Sequence, residues 1–247
     1  MDAALKSVLE WWDIVGVEVP EIKPAPRAKP TPIKRMAAAA APKAPEPPKP
    51  PPNSEKIAQG AKTLEDLRTR ISDFDAGLIS DHAKQSVFAR GNPQADIMVI
   101  GEAPGREEDM TGKPFAGKPG QLLDKMLAAI NLSEETAYIT NVVNWRPPKD
   151  RNPNADEIAL CLPFIHKHIA LVDPKFILIV GNISLGALTG ETGITKQRGQ
   201  WKDITVGGKT YPALPIYHPS FLLQQPSLKR DAWRDLLALQ ARLQTAE

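Results

Sequence analysis

The chain has 247 residues and a formal net charge of only +2. A single cysteine, Cys161, excludes an intrachain disulfide. No run of about 18 or more apolar residues is present to cross a membrane as a helix, so a soluble, cytoplasmic protein is expected.

The first stretch, "MDAALKSVLEWWDIVG", has no basic start and no continuous apolar core, which makes it a poor signal peptide. Leu5, Val8, Leu9, Trp12 and Val15 instead share one helical face, predicting an amphipathic helix within residues 1–19. Docking on its own domain and binding a protein partner both fit that pattern. Residues 20–53 then hold 12 of the 25 prolines, the run Ala37 to Ala41 and hardly any large apolar side chain. Such a segment cannot bury enough surface to offset its ordering entropy. It reads as a semi-extended linker, a plain spacer or a proline-motif ligand. Glu21 to Asn53 carries a surplus of five positive charges, leaving the remainder slightly acidic. The linker can add weak, salt-sensitive attraction to phosphate, whereas any nucleic-acid contact in the folded part needs a local patch.

From residue 54 to 247, helical and strand patterns alternate. Thr63 and Asp66 make a capping-box-like start before Leu64, Leu67, Ile71 and Phe74 on one helix face. A strand is expected over Asp96 to Gly101. A helix follows from Gly120 with Leu122, Leu123, Met126, Leu127 and Ile130 inward, and a second strand over Ala137 to Val143. Asn154 can cap a helix carrying Ile158, Cys161, Leu162, Ile165 and Ile169. The third strand, "KFILIVGN", is almost wholly apolar, as a strand covered on both faces should be. A short helix follows it. "VGGK" predicts a hairpin turn, and "ALPIYHPS" a strand running into a loop. The last helix starts near Ser227 and presents Trp233, Leu236, Leu237 and Leu243. This βαβα rhythm predicts an α/β fold: a three-layer α/β/α sandwich around a short, mainly parallel four-stranded central sheet.

Four polar signatures fall at the carboxyl ends of the expected strands, where such sheets bind ligands: "GEAPG", "ITN", "GN" and "YHPS". "GEAPG" meets neither the dinucleotide-binding nor the P-loop pattern. Glu102 at its mouth would repel a pyrophosphate. The four histidines are scattered, and only Cys161 offers sulfur, so no metal cluster is expected from spacing. Glu102, the stiff turn at Pro104 and the ring of Phe115 suggest a pocket for a flat, polar, uncharged ring.

"GEAPGREEDMTGKPFAGKPGQLLDKML", "YITNVVNWRPPKDRNPN" and "YHPSFLL", in this order, resemble the motifs of the family four uracil-DNA glycosylases. The similarity spans about Phe74 to Leu237. It implies hydrolysis of the bond between uracil and deoxyribose in double- or single-stranded DNA, with the nucleotide flipped out of the duplex. No cofactor and a monomeric enzyme are expected. Matched to the motifs, Glu102, Asn141 and His218 take the catalytic roles: orienting or activating water, reading the uracil edge, and donating to O2 of the departing base. Phe115 would stack on the ring. Gly101, Ala103, Pro104 and Gly105 would shape the pocket floor, with Glu108 or Asp109 near C5. Ser220, Leu222 and Leu223 correspond to the loop and wedge that enter DNA, although Gln224 stands where an arginine often follows. Lys118, the backbone at Gly120, Arg151 and Arg198 are candidate phosphate binders. A non-catalytic lesion binder with a partner-recruiting tail is the alternative.

The resemblance also implies a [4Fe-4S] cluster held by four cysteines, and here the chain departs from the pattern. Phe74 and Gly77 stand approximately at the first two positions, Trp145 at the third, and only Cys161 remains. One thiolate cannot hold a cubane. The expectation is a cluster-free protein in which Phe74 and Trp145 fill the space and Cys161 is a small core residue. A covalent-trapping relative uses a histidine in a loop after the asparagine strand. "NWRPPKDRNPN" has none, so turnover is expected.

Overall fold

The structure, a computed structural model, describes residues 52–245. The expected amphipathic helix of residues 1–19 and nearly all of the linker lie outside the described residues. The linker boundary falls slightly too late, because helix α1, Pro52–Gly60, already includes its last two positions.

Helix α2, Leu64–Ser72, starts where Thr63 accepts a hydrogen bond from the Asp66 backbone N–H, satisfying one orphan donor of the first turn. It stops two residues before Phe74, which is buried just past the helix end. A short helix α3, Leu78–His82, leads to strand β1, Ala89–Gly91, and then β2, Ile97–Gly101. Helices α4, Arg106–Thr111, and α5, Lys118–Ala128, precede β3, Ala137–Asn141. Asn154 and Glu157 form a reciprocal capping box at the start of α6, Ala155–Val172. Strand β4, Phe176–Val180, runs into α7, Asn182–Thr189, and α8, Ile194–Gln197. The hairpin of β5, Lys202–Val206, and β6, Lys209–Ile216, turns at Gly207 and Gly208, both with positive φ as such a turn demands. Helices α9, Pro219–Gln224, and α10, Lys229–Gln244, complete the described fold.

The sheet has six strands in the order β1-β3-β2-β4-β6-β5. The expected count of four is thus corrected. The four central strands are parallel to one another, and β1 and β5 flank them antiparallel. Three residues of β1 are too few to show a period, so this edge leaves no pattern in the sequence. Neighbouring residues of the central strands feed opposite faces. Met98, Ile100, Ile177 and Ile179 join the core that holds α6, while Ile97, Val99, Leu178 and Val180 join the core of α5 and α10. In α10 the inward set is Trp233, Leu236 and Leu239; Leu237, expected inside, is 38% exposed. Its neighbour Leu236 already takes the inward position one helical step away.

Candidate active site

The parallel register pairs Gly101 at the end of β2 with Asn141 at the end of β3. At that carboxyl edge lies a cavity of about 290 Å³, lined among others by Glu102, Pro104, Phe115, Asn141 and His218. Segments far apart in sequence therefore converge on one site, as parallel α/β sheets favour.

Glu102 is half-buried and points at the amino end of α7. The Ile183 backbone N–H donates to its Oε1 at 3.0 Å. Burial raises its carboxyl pKa above 4.5, while the backbone N–H groups of Ile183 and Asn182 pull the other way. Gly181, with φ of 101°, makes this approach possible, since a Cβ there would stand 2.3 Å from Oε1.

Asn141 is 3% exposed, and among the described residues no partner takes its side-chain amide. The amide atoms stay accessible from the cavity, where water or a ligand can meet their hydrogen-bonding capacity. His218 caps α9: the Ser220 N–H donates to its Nδ1 at 3.2 Å, with the Ser220 Oγ 2.7 Å away. Accepting at Nδ1 makes Nε2 the protonated nitrogen of the neutral ring. Burial pushes its pKa down to about 4 against the opposing pull of Glu108, so the neutral ring prevails at neutral pH.

Phe115 has a left-handed backbone, φ 55°, unusual for a bulky residue, and its ring stacks on His218 at 5.8 Å between centroids. Two glycines make room for it. A Cβ on Gly101 would come within 2.4 Å of both the Phe115 ring and Asn141 Oδ1, and a Cβ on Gly120 within 1.7 Å of the Phe115 carbonyl oxygen. Glu108 braces the two pocket loops, accepting from Gly105 N–H at 2.9 Å and Gly117 N–H at 3.0 Å. Ala103 and Gly105 line the cavity with Pro104.

Other expected site residues are placed elsewhere. Asp109 is buried outside the cavity lining, accepting from the Lys84 N–H at 2.7 Å and lying 3.8 Å from Arg146. The helical step that turns Glu108 into the pocket turns its neighbour away. Leu222 is wholly buried in the α5 and α10 core, whereas Phe221 and Leu223 are 37% and 44% exposed. The outward apolar pair is therefore Phe221 and Leu223, not Leu222 and Leu223. Arg198 is committed to Asp235 by two hydrogen bonds and to the Asp231 carbonyl, and lies over the Tyr217 ring. That guanidinium braces the strand before His218, so it is not available as a phosphate binder. Arg151 lines the cavity but forks onto Glu157. Lys118 is exposed and Gly120 buried at the start of α5. Glu107, Pro119, Pro147 and Asn152 also line the cavity and went unread in the sequence. Prolines and loop polars carry no periodic signal.

The residues at the expected cluster positions do not fit an iron–sulfur group. Phe74 packs on Phe164 at 5.1 Å and on Trp145 at 6.3 Å, in the same core as Cys161. Gly77 is exposed, with positive φ, at the start of α3. Burial pushes the Cys161 thiol up to about 12, and the chain has no second thiol to hold a cluster with it.

Residues 88–237 match the family model of the uracil DNA glycosylase superfamily. The chain is 33% identical to a type-4 uracil-DNA glycosylase of Pyrobaculum aerophilum over 178 residues, 70% of this chain and 91% of that protein. It is 39% identical to that of Sulfurisphaera tokodaii over 177 residues, 68% and 79% of the two chains. With that of Thermotoga maritima it shares 38% over 154 residues, 61% and 79%.

Proposed function

Because this chain belongs to the uracil-DNA glycosylase superfamily, we propose that it is a uracil-DNA glycosylase, hydrolysing the N-glycosidic bond of deoxyuridine in DNA to release uracil and leave an abasic site. The observation that carries this reading is the convergence of the Asn141 amide, which no protein group engages, a neutral imidazole and a half-buried carboxylate on one cavity of about 290 Å³. The cavity is recessed at the strand ends, so the base is flipped out of the duplex to reach it.

Each group then has a defined task. The Asn141 amide donates to uracil O4 and accepts from N3–H; cytosine presents the reversed polarity and leaves that buried amide unsatisfied. Phe115 stacks on the base. As the bond between C1′ and N1 breaks, its electron pair stays on uracil and spreads to O2, where the neutral His218 Nε2–H donates. Water adds to the cationic C1′, and Glu102 accepts the proton that water loses. Its negative charge also favours the cation. Leu223, with Phe221, enters the duplex where the base leaves. Lys118, the backbone at Gly120, Ser220 and Arg151 approach phosphates, Arg151 by exchanging Glu157 for one.

The protein works without an iron–sulfur cluster, since one buried thiol and a packed ring cluster replace the ligand set. We propose further that it acts as a monomer in the cytoplasm.

A labelled oligonucleotide with one uracil tests the reading. Incubation followed by alkali should break the strand at the uracil, and N141A and H218A should each slow this by about 10² or more. An intact strand with the unaltered protein, or undiminished cleavage by both variants, would refute it.

A further inference from the structure

We propose that Arg90, on the edge strand β1, is a positioning residue for the base-stacking Phe115. The inference rests on the glycosylase reading. Arg90 is nearly buried, with its side chain 9% exposed, and its guanidinium serves three partners from different parts of the chain. Nε donates to the Pro114 carbonyl at 2.9 Å, and the two terminal nitrogens pair with Asp124 of α5 and with Glu134 in the turn before β3.

The Pro114 carbonyl belongs to the peptide plane whose other end sets φ of Phe115. Holding that oxygen therefore holds Phe115 in its left-handed conformation, 55° in φ, which a phenylalanine would otherwise leave. The glycines at 101 and 120 only make room for the ring and its carbonyl. They do not select the conformation, whereas a hydrogen bond from a buried, doubly anchored guanidinium does. The two acidic partners fix the guanidinium plane, so Nε–H has one direction left in which to point, towards Pro114. Arg90 thus ties the edge of the sheet to the stacking loop, and through the Phe115 ring to His218.

A role carried through Phe115 predicts non-additive losses. R90M should lower kcat/KM for uracil excision by on the order of tenfold to 10²-fold, the cost of misplacing a positioning group. In an F115A background, R90M should cost nothing further. E134Q, which removes only the more exposed anchor, should lower Tm and keep excision within about twofold. If R90M does not fold, R90K enters the same cycle; its compact ammonium lacks the planar fork that lets Nε and the two terminal nitrogens reach separate partners. In protein labelled at phenylalanine, the Phe115 ring resonances should shift in R90M or R90K and stay in place in E134Q. Multiplying losses in the double variant, or an unmoved Phe115 resonance, would overturn the inference. Absence of excision by the unaltered protein would overturn the glycosylase reading instead, and the resonance shift would still decide the role of Arg90.

Discussion

Glu102 holds its charge in a place that resists it. Burial raises its folded-state pKa above 4.5, so the folded chain binds this proton more tightly than the unfolded chain. Stability therefore falls as pH rises from the ordinary carboxylate range through the folded value, and the cost persists at neutral pH. E102Q should raise Tm at pH 7, with the gain shrinking below about pH 4.5, while excision falls by about 10² or more. In the unaltered protein the rate should drop on the acid side as Glu102 takes up its proton. It should show no separate limb near the usual histidine value, because burial pushes the His218 pKa down to about 4. A rate that falls through pH 6.5 on the alkaline side would mean that the imidazolium is the working form.

The elements around the site show what the sequence could and could not reveal. The caps at Thr63 and Asn154, the apolar runs of β2 and β4, and the four strand-end signatures were legible because each is local. Asn141 and His218 could be placed because one ends a strand and the other stands two residues past one. The ties that fix the site were not legible. Ile183 and Glu102 are 81 positions apart, and Arg90 and Pro114 are 24 apart, with no periodicity linking them. The wedge was misread for a related reason: a six-residue helix such as α9 shows too little period to tell which of Phe221, Leu222 and Leu223 faces inward. That correction separates two variants. L222A should cost about 2–5 kcal/mol of stability, measured by denaturant unfolding, because it empties a core position. L223A should leave stability within about 0.5 kcal/mol. It should slow excision from duplex DNA more than from single strands, where no base needs extruding. Equal slowing on both substrates would remove Leu223 from the wedge.

At the scale of the whole molecule, the fold brings Glu102, Asn141 and His218 together at the carboxyl edge of the central parallel strands and fills the expected cluster region with rings. Phe74, Trp145 and Phe164 contribute packing there that needs no metal. Purified protein should carry no stoichiometric iron and no broad visible absorbance, and a chelator should leave Tm unchanged. The most direct measurement quantifies free uracil released by the full chain from a uracil-containing duplex, with iron determined on the same sample. The account predicts multiple turnovers of uracil release at negligible iron content. Release that requires stoichiometric iron, or no release by properly folded protein, would contradict it.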